Sequence, residues 1–78
     1  MKDDYSKLSQ KICKKIKLER IKKGFSQEEL ALEANMNRNS IWKIETGRVS
    51  PSIESLEKIA CALGIDFATL TDVSKVEL

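Results

Sequence analysis

The 78-residue chain has no histidine. That removes the side chain most often used as a general acid–base and as a metal ligand. Its two cysteines, Cys13 and Cys61, are too few for a four-ligand zinc site. They also lie far apart with no CxxC spacing, so neither a disulfide framework nor a bound metal is expected. No glycine-rich phosphate loop is present, and a deep cleft would consume much of the core of so short a chain. Enzymatic chemistry and a cofactor are therefore not expected. Long apolar runs are also missing, which excludes a membrane-spanning helix, and no secretion-signal pattern is visible. With two unpaired thiols, this fits a cytoplasmic protein.

Charge is nearly balanced overall but not along the chain. Residues 1–25 hold nine basic residues (Lys2, Lys7, Lys11, Lys14, Lys15, Lys17, Arg20, Lys22 and Lys23) against Asp3, Asp4 and Glu19. The middle of the chain is close to neutral, and residues 51–78 are net acidic. A basic amino-terminal third suits a polyanionic partner, nucleic acid or a membrane surface. A lysine-rich helix face that merely solvates the protein has the same composition.

Only one proline and three glycines interrupt the chain, and the β-branched residues never alternate over a full strand. The pattern predicts an all-α domain of five helices. The first covers about residues 6–23, with Leu8, Ile12 and Ile16 on its apolar face and Gly24 as its stop. Ser26-Gln27-Glu28-Glu29 is a capping box opening a helix over 27–34, with Leu30, Ala31 and Ala34 inward. Asn35 takes the turn. Asn37 caps a helix over 38–45 with Ile41 and Ile44 as its core residues, ended by Thr46-Gly47. Ser52 caps a helix over 53–63, whose stripe is Ile53, Leu56, Ile59, Ala60 and Leu63. Pro51 is placed to staple onto Leu56. Asp66 caps a last helix over 67–71, and residues 72–78 have no firm pattern. Phe25 and Phe67 are expected in the core. Glu28, Glu29, Glu54 and Glu57 sit near helix starts, where carboxylates suit the dipole, and form no catalytic pair.

Two short helices joined by a tight turn, 27–34 and 38–45, form a helix-turn-helix. The second helix anchors through Ile41 and Ile44, while Arg38, Asn39, Trp42 and Lys43 point outward. Arginine and lysine suit guanine O6 and N7, and asparagine suits adenine N6 and N7.

The run Gly24-Phe25-Ser26-Gln27-Glu28-Glu29-Leu30-Ala31, the segment from Asn37 to Ile44, and Glu45-Thr46-Gly47-Arg48 carry a family likeness. It continues through Pro51-Ser52-Ile53-Glu54-Ser55-Leu56 and Ala60-Cys61-Ala62-Leu63-Gly64-Ile65. Taken in order at this spacing, they resemble the Cro/repressor-type, or XRE, helix-turn-helix family over about residues 12–70. The resemblance implies a compact five-helix, lambda-repressor-like domain over residues 12–71. Residues 1–11 then extend the first helix and residues 72–78 form a carboxyl-terminal tail. It implies a sequence-specific regulator of transcription that binds double-stranded DNA as a homodimer, in the manner of repressors or restriction–modification controllers. An antitoxin-type autorepressor, or a helix-turn-helix scaffold that binds a protein, is the alternative.

Carried over residue by residue, Arg38, Asn39 and Lys43 match base-reading positions. Gln27, Asn37, Ser40, Thr46, Gly47 and Arg48 match phosphate-contacting positions, with the loop amides and the Arg48 side chain meeting the DNA backbone. Arg20 and Glu45 match a partly buried ion pair. Of the basic first helix, only the carboxyl end is expected near DNA. Three departures stand out, one being Asn35 in place of the usual turn glycine. Glu19 occupies a usually aliphatic position, so Leu18 and Ile21 must supply packing there. Trp42 is unusual on the outward face. Apolar residues past the fourth helix, Ile65, Phe67, Leu70, Val73 and Val76, are the candidate dimer interface. No small-molecule effector is expected.

Overall fold

The computed structural model describes residues 2–78, with side chains from Lys7 onward. The elements are α1 (Lys2–Lys23), α2 (Gln27–Glu33), α3 (Arg38–Glu45), α4 (Ile53–Leu63) and α5 (Phe67–Thr71). Among the described residues there is no strand. Helix α1 begins earlier than the apolar pattern indicates. No glycine or proline precedes Gly24, and an existing helix propagates cheaply once nucleated.

The starts follow local chemistry. The Ser26 hydroxyl accepts from the Glu29 amide at 3.0 Å, and the Ser26 amide donates to Glu29 Oε1 at 2.8 Å. Asn37 Oδ1 accepts from the Asn39 amide at 2.7 Å, and Ser52 Oγ accepts from the Ser55 amide at 3.0 Å. Asp66 sits at the start of α5 without a side-chain cap bond.

The first four helices end in one shared way. A residue at positive φ (Gly24, Asn35, Gly47 or Gly64) breaks each helix. The amide after it then reaches back into the last turn, in the pattern that closes many helices. Phe25 donates to Arg20 O at 3.1 Å, Met36 to Ala31 O at 2.8 Å, Arg48 to Lys43 O at 2.9 Å, and Ile65 to Ala60 O at 3.1 Å. At three of these ends the reaching residue is apolar, and Phe25, Met36 and Ile65 pack against the core. After α3 the equivalent residue is Arg48, which stays exposed.

Each helix gives the core one fully enclosed aliphatic residue: Ile16, Leu30, Ile41, Ile59 and Leu70. Burial of such a side chain stabilises the fold by about 1.5–3 kcal/mol. Cys13, Ala31, Ile44, Leu56, Ala60 and Leu63 complete the cluster. Burial desolvates the Cys13 thiol and pushes its pKa up.

Several expectations are corrected by the packing. Ile53 is 67% exposed and Leu8 49%, so the α4 stripe begins at Leu56 and the apolar face of α1 at Ile12. Leu18 and Ile21 are exposed and stand outside the core, not in the packing role expected of them beside Glu19. Glu19 instead pairs with Lys15 one turn back at 3.4 Å. Phe67 is exposed, while Phe25 is half-buried against the core.

Residues 72–78 are not a loose tail. Val76 is buried. Asp72 Oδ1 accepts from the Ser74 amide at 3.1 Å; hydrogen bonding from the Ser74 side chain first, and from its amide second, holds the Asp72 carboxyl below the ordinary carboxylate range. Lys14 Nζ donates to Glu77 O, which ties this segment to α1. Two candidate interface residues are therefore interior. Leu70 faces the core centre because α5 packs against α1 and α4. Val76 is drawn inward as the chain folds back.

Candidate nucleic-acid interface

An isolated eight-residue helix is not stable in water. Helix α3 is held by its surroundings instead. Ile41 and Ile44 bury one face. At its carboxyl end Glu45 meets Arg20 of α1, which donates through Nε to Oε2 at 2.6 Å and through Nη2 to Oε1 at 3.0 Å. Arg20 also donates through Nη1 to Phe25 O at 2.8 Å. Gln27 Nε2 donates to Glu45 Oε1 at 3.1 Å. One carboxylate thus joins α1, α2 and α3, and the Glu45 side chain is 1% exposed.

The other face of α3 is open. Arg38, Asn39, Trp42 and Lys43 are exposed. Among the described residues, Arg38, Asn39 and Lys43 have no side-chain partner, so their hydrogen-bonding groups remain available. Arg38 borders two hollows. One is shared with Asn39 and Trp42, the other with Ser26, Gln27 and Glu28 at the start of α2. Ser40 lies to the other side, half-buried, in a hollow with Met36, Lys43 and the loop at residues 49–52.

The positions expected to contact phosphate separate into two kinds. Gln27 has one amide N–H committed to Glu45 and one to spare. Asn37 uses its oxygen as a cap and keeps its amide group. The loop after α3 is different. Thr46 N donates to Trp42 O at 2.9 Å, Gly47 N to Ile44 O at 3.0 Å, and Arg48 N to Lys43 O. The Thr46 hydroxyl also turns back, donating to Trp42 O at 2.8 Å. These bonds terminate α3 and occupy the loop amides. The Thr46 and Gly47 amides expected at the DNA backbone are thus bonded within the chain, while the Arg48 guanidinium has no ion pair among the described residues.

Two features escaped the sequence. A hollow lined by Gln10, Lys14, Lys17, Thr46 and Gly47 brings the middle of α1, not only its carboxyl end, to the loop after α3. Spacing along one helix cannot reveal that neighbour. Second, the Arg48 Cζ lies 4.9 Å from the centre of the Trp42 ring, a cation–π contact. The remaining candidate interface residues, Ile65, Phe67 and Val73, lie at or near the surface past α4.

A helix-turn-helix family model matches residues 16–70. Control protein C.BamHI of Bacillus amyloliquefaciens is 38% identical over 55 residues, covering 70% of this chain and 68% of that protein. A hypothetical transcription factor of Neisseria meningitidis serogroup B is 38% identical over 50 residues, covering 64% of this chain. The chain spans only 47% of the length of that relative. The crystal structure of a point mutant of the restriction–modification controller protein C.Esp1396I superposes with a TM-score of 0.82 at 33% identity, covering 87% of this chain and 90% of that one. Fold, matched residues and relatives agree: the chain belongs to the Cro/XRE-type helix-turn-helix family of DNA-binding proteins.

Proposed function

We propose that this protein is a sequence-specific transcriptional regulator of the controller or repressor type, which sets α3 in the major groove of a near-palindromic operator. The observation that carries the reading is the division of α3: one face locked by Ile41, Ile44 and Glu45, the other presenting unpartnered Arg38, Asn39 and Lys43. These three read base edges. Gln27, Asn37 and Arg48 hold phosphates, with Ser40 at the flank, while Thr46 and Gly47 shape the loop that carries Arg48. The names of the relatives, a control protein and a restriction–modification controller, support the controller reading. The protein acts as a cytoplasmic homodimer through Ile65, Phe67 and Val73, with half-sites about 34–36 Å apart. Dimerisation makes operator occupancy depend on the protein's own concentration, so no metabolite is required. No catalytic role is assigned.

The test uses a duplex selected from a randomised library and its scrambled counterpart, titrated at several salt concentrations. Phosphate contacts give affinity without sequence information, and base contacts discriminate. Arg48→Ala weakens binding to both duplexes and lowers the salt slope by about one unit. Asn39→Ala costs about 1–3 kcal/mol on the selected duplex and much less on the scrambled one. Equal losses for Asn39→Ala on both duplexes refute base reading by that residue.

A further inference from the structure

The way α3 ends differs from the ends of α1, α2 and α4 in one respect. Where those ends turn Phe25, Met36 and Ile65 onto the core, this one turns Arg48 outward. Such helix ends commonly carry an apolar contact between the reaching residue and the last turn. Here that contact is made to Trp42, the only tryptophan of the chain, which is itself 39% exposed.

The kind of contact matters. Among the described residues Arg48 has no ion pair. A carboxylate would neutralise its charge and occupy its donors. A ring face does neither. The guanidinium lies over the ring, which accepts no N–H in place of an oxyanion, so its N–H groups stay available to one. Holding it in the free protein also removes rotamer freedom that binding would otherwise have to remove. Trp42 shares its hollow with Arg38 and Asn39, so the stack stands beside the base-reading residues.

We propose that Trp42 is a positioning residue: it holds the Arg48 guanidinium, still fully charged, for a phosphate of the DNA backbone. The proposal rests on the DNA-binding reading above, and makes Trp42 act through Arg48 rather than on a base.

The experiment is a double-mutant cycle. Wild type, Trp42→Leu, Trp42→Phe, Arg48→Ala and Trp42→Leu/Arg48→Ala are titrated on the selected and the scrambled duplex. Leucine preserves apolar cover but has no ring, and phenylalanine keeps a ring. Trp42→Leu should weaken both duplexes alike, by roughly two- to five-fold per subunit, the equivalent of an exposed cation–π contact. In the Arg48→Ala background it should cost nothing further, and Trp42→Phe should retain most of the affinity. In the free protein, Arg48→Ala should shift the tryptophan emission. Independent losses in the cycle, a loss confined to the selected duplex, or emission indifferent to Arg48→Ala each overturn the proposal. A wild-type protein that binds neither duplex overturns the DNA-binding reading itself. Thermal melts of every variant accompany the titrations. If Trp42→Leu melts early, Trp42→Phe with and without Arg48→Ala carries the cycle, and a loss in Trp42→Phe that persists without Arg48 refutes the assignment.

Discussion

Arg20→Met breaks the junction that joins three helices, and its cost follows from what it leaves behind. Glu45 would keep its charge in a site where its side chain is 1% exposed, with Gln27 as its one remaining side-chain donor. The Phe25 carbonyl would also lose its partner. Stranding one member of a buried ion pair costs about 3–5 kcal/mol. A chain of this size is held by about 4–12 kcal/mol in total. The single substitution therefore removes a large share of the stability and lowers Tm by roughly 12–40 °C. Arg20→Met with Glu45→Leu removes both charges together. What remains is two under-bonded polar groups on half-buried residues, and the double variant should be more stable than either single one. Urea unfolding followed by far-UV circular dichroism gives all four corners of the cycle. The expected coupling is at least about 2 kcal/mol. Losses that add to within about 0.5 kcal/mol would mean the two residues do not interact, and the reasoning would be refuted.

Two further predictions concern the carboxyl-terminal half. Leu70→Ala opens a cavity in the core and should cost about 2–5 kcal/mol in chemical denaturation. Phe67→Ser should leave the melt nearly unchanged and weaken self-association in sedimentation, and a dimer indifferent to Phe67→Ser would remove that residue from the interface. Cys13 is buried with its thiol pKa raised, while Cys61 is exposed. A thiol-specific chromogenic reagent should therefore report one fast equivalent per folded chain and two after denaturation. Two fast equivalents would contradict the burial of Cys13.

The elements were legible because their boundaries are written in side chains that act locally. Ser26 with Glu29, Asn37, Ser52, Asn35 and Gly64 cap or break helices through bonds a few residues long. For that reason α2, α3 and α4 start where capping chemistry puts them. The outward group Arg38, Asn39 and Lys43 follows from Ile41 and Ile44 by helical periodicity alone. What failed depends on neighbours distant in sequence. Ile53 continues the apolar stripe of α4, yet no element covers it. Leu70 and Val76 look like surface because no local pattern shows that α5 packs against α1 and α4 or that the last residues fold back. The stacking of Arg48 on Trp42 joins two residues that sequence reading assigns separately, one to phosphate and one to no settled role. The left-handed Gly47 between them brings the two together.

The anchoring of α3 also links stability to recognition. The helix is too short to persist alone, so the face proposed to read bases exists only while Ile41, Ile44, the Asn37 cap and the Glu45 junction hold it. A change that loosens the junction without unfolding the chain leaves the reading residues chemically intact but correctly placed in only a fraction of molecules. Apparent affinity then falls in proportion to that fraction. Arg20 is 9% exposed and lies behind the reading face. A mild substitution such as Arg20→Lys would keep the charge and lose the two-pronged grip on Glu45. It should weaken binding to selected and scrambled duplexes together, since the junction places both the proposed base-reading helix and Gln27. A residue with a proposed contact should behave differently: Asn39→Ala should act on the selected duplex, and Arg48→Ala should change the salt slope. Loss of affinity on both duplexes with the salt slope unchanged is the signature of a helix held in place less often, and it separates the support of the recognition face from the face itself.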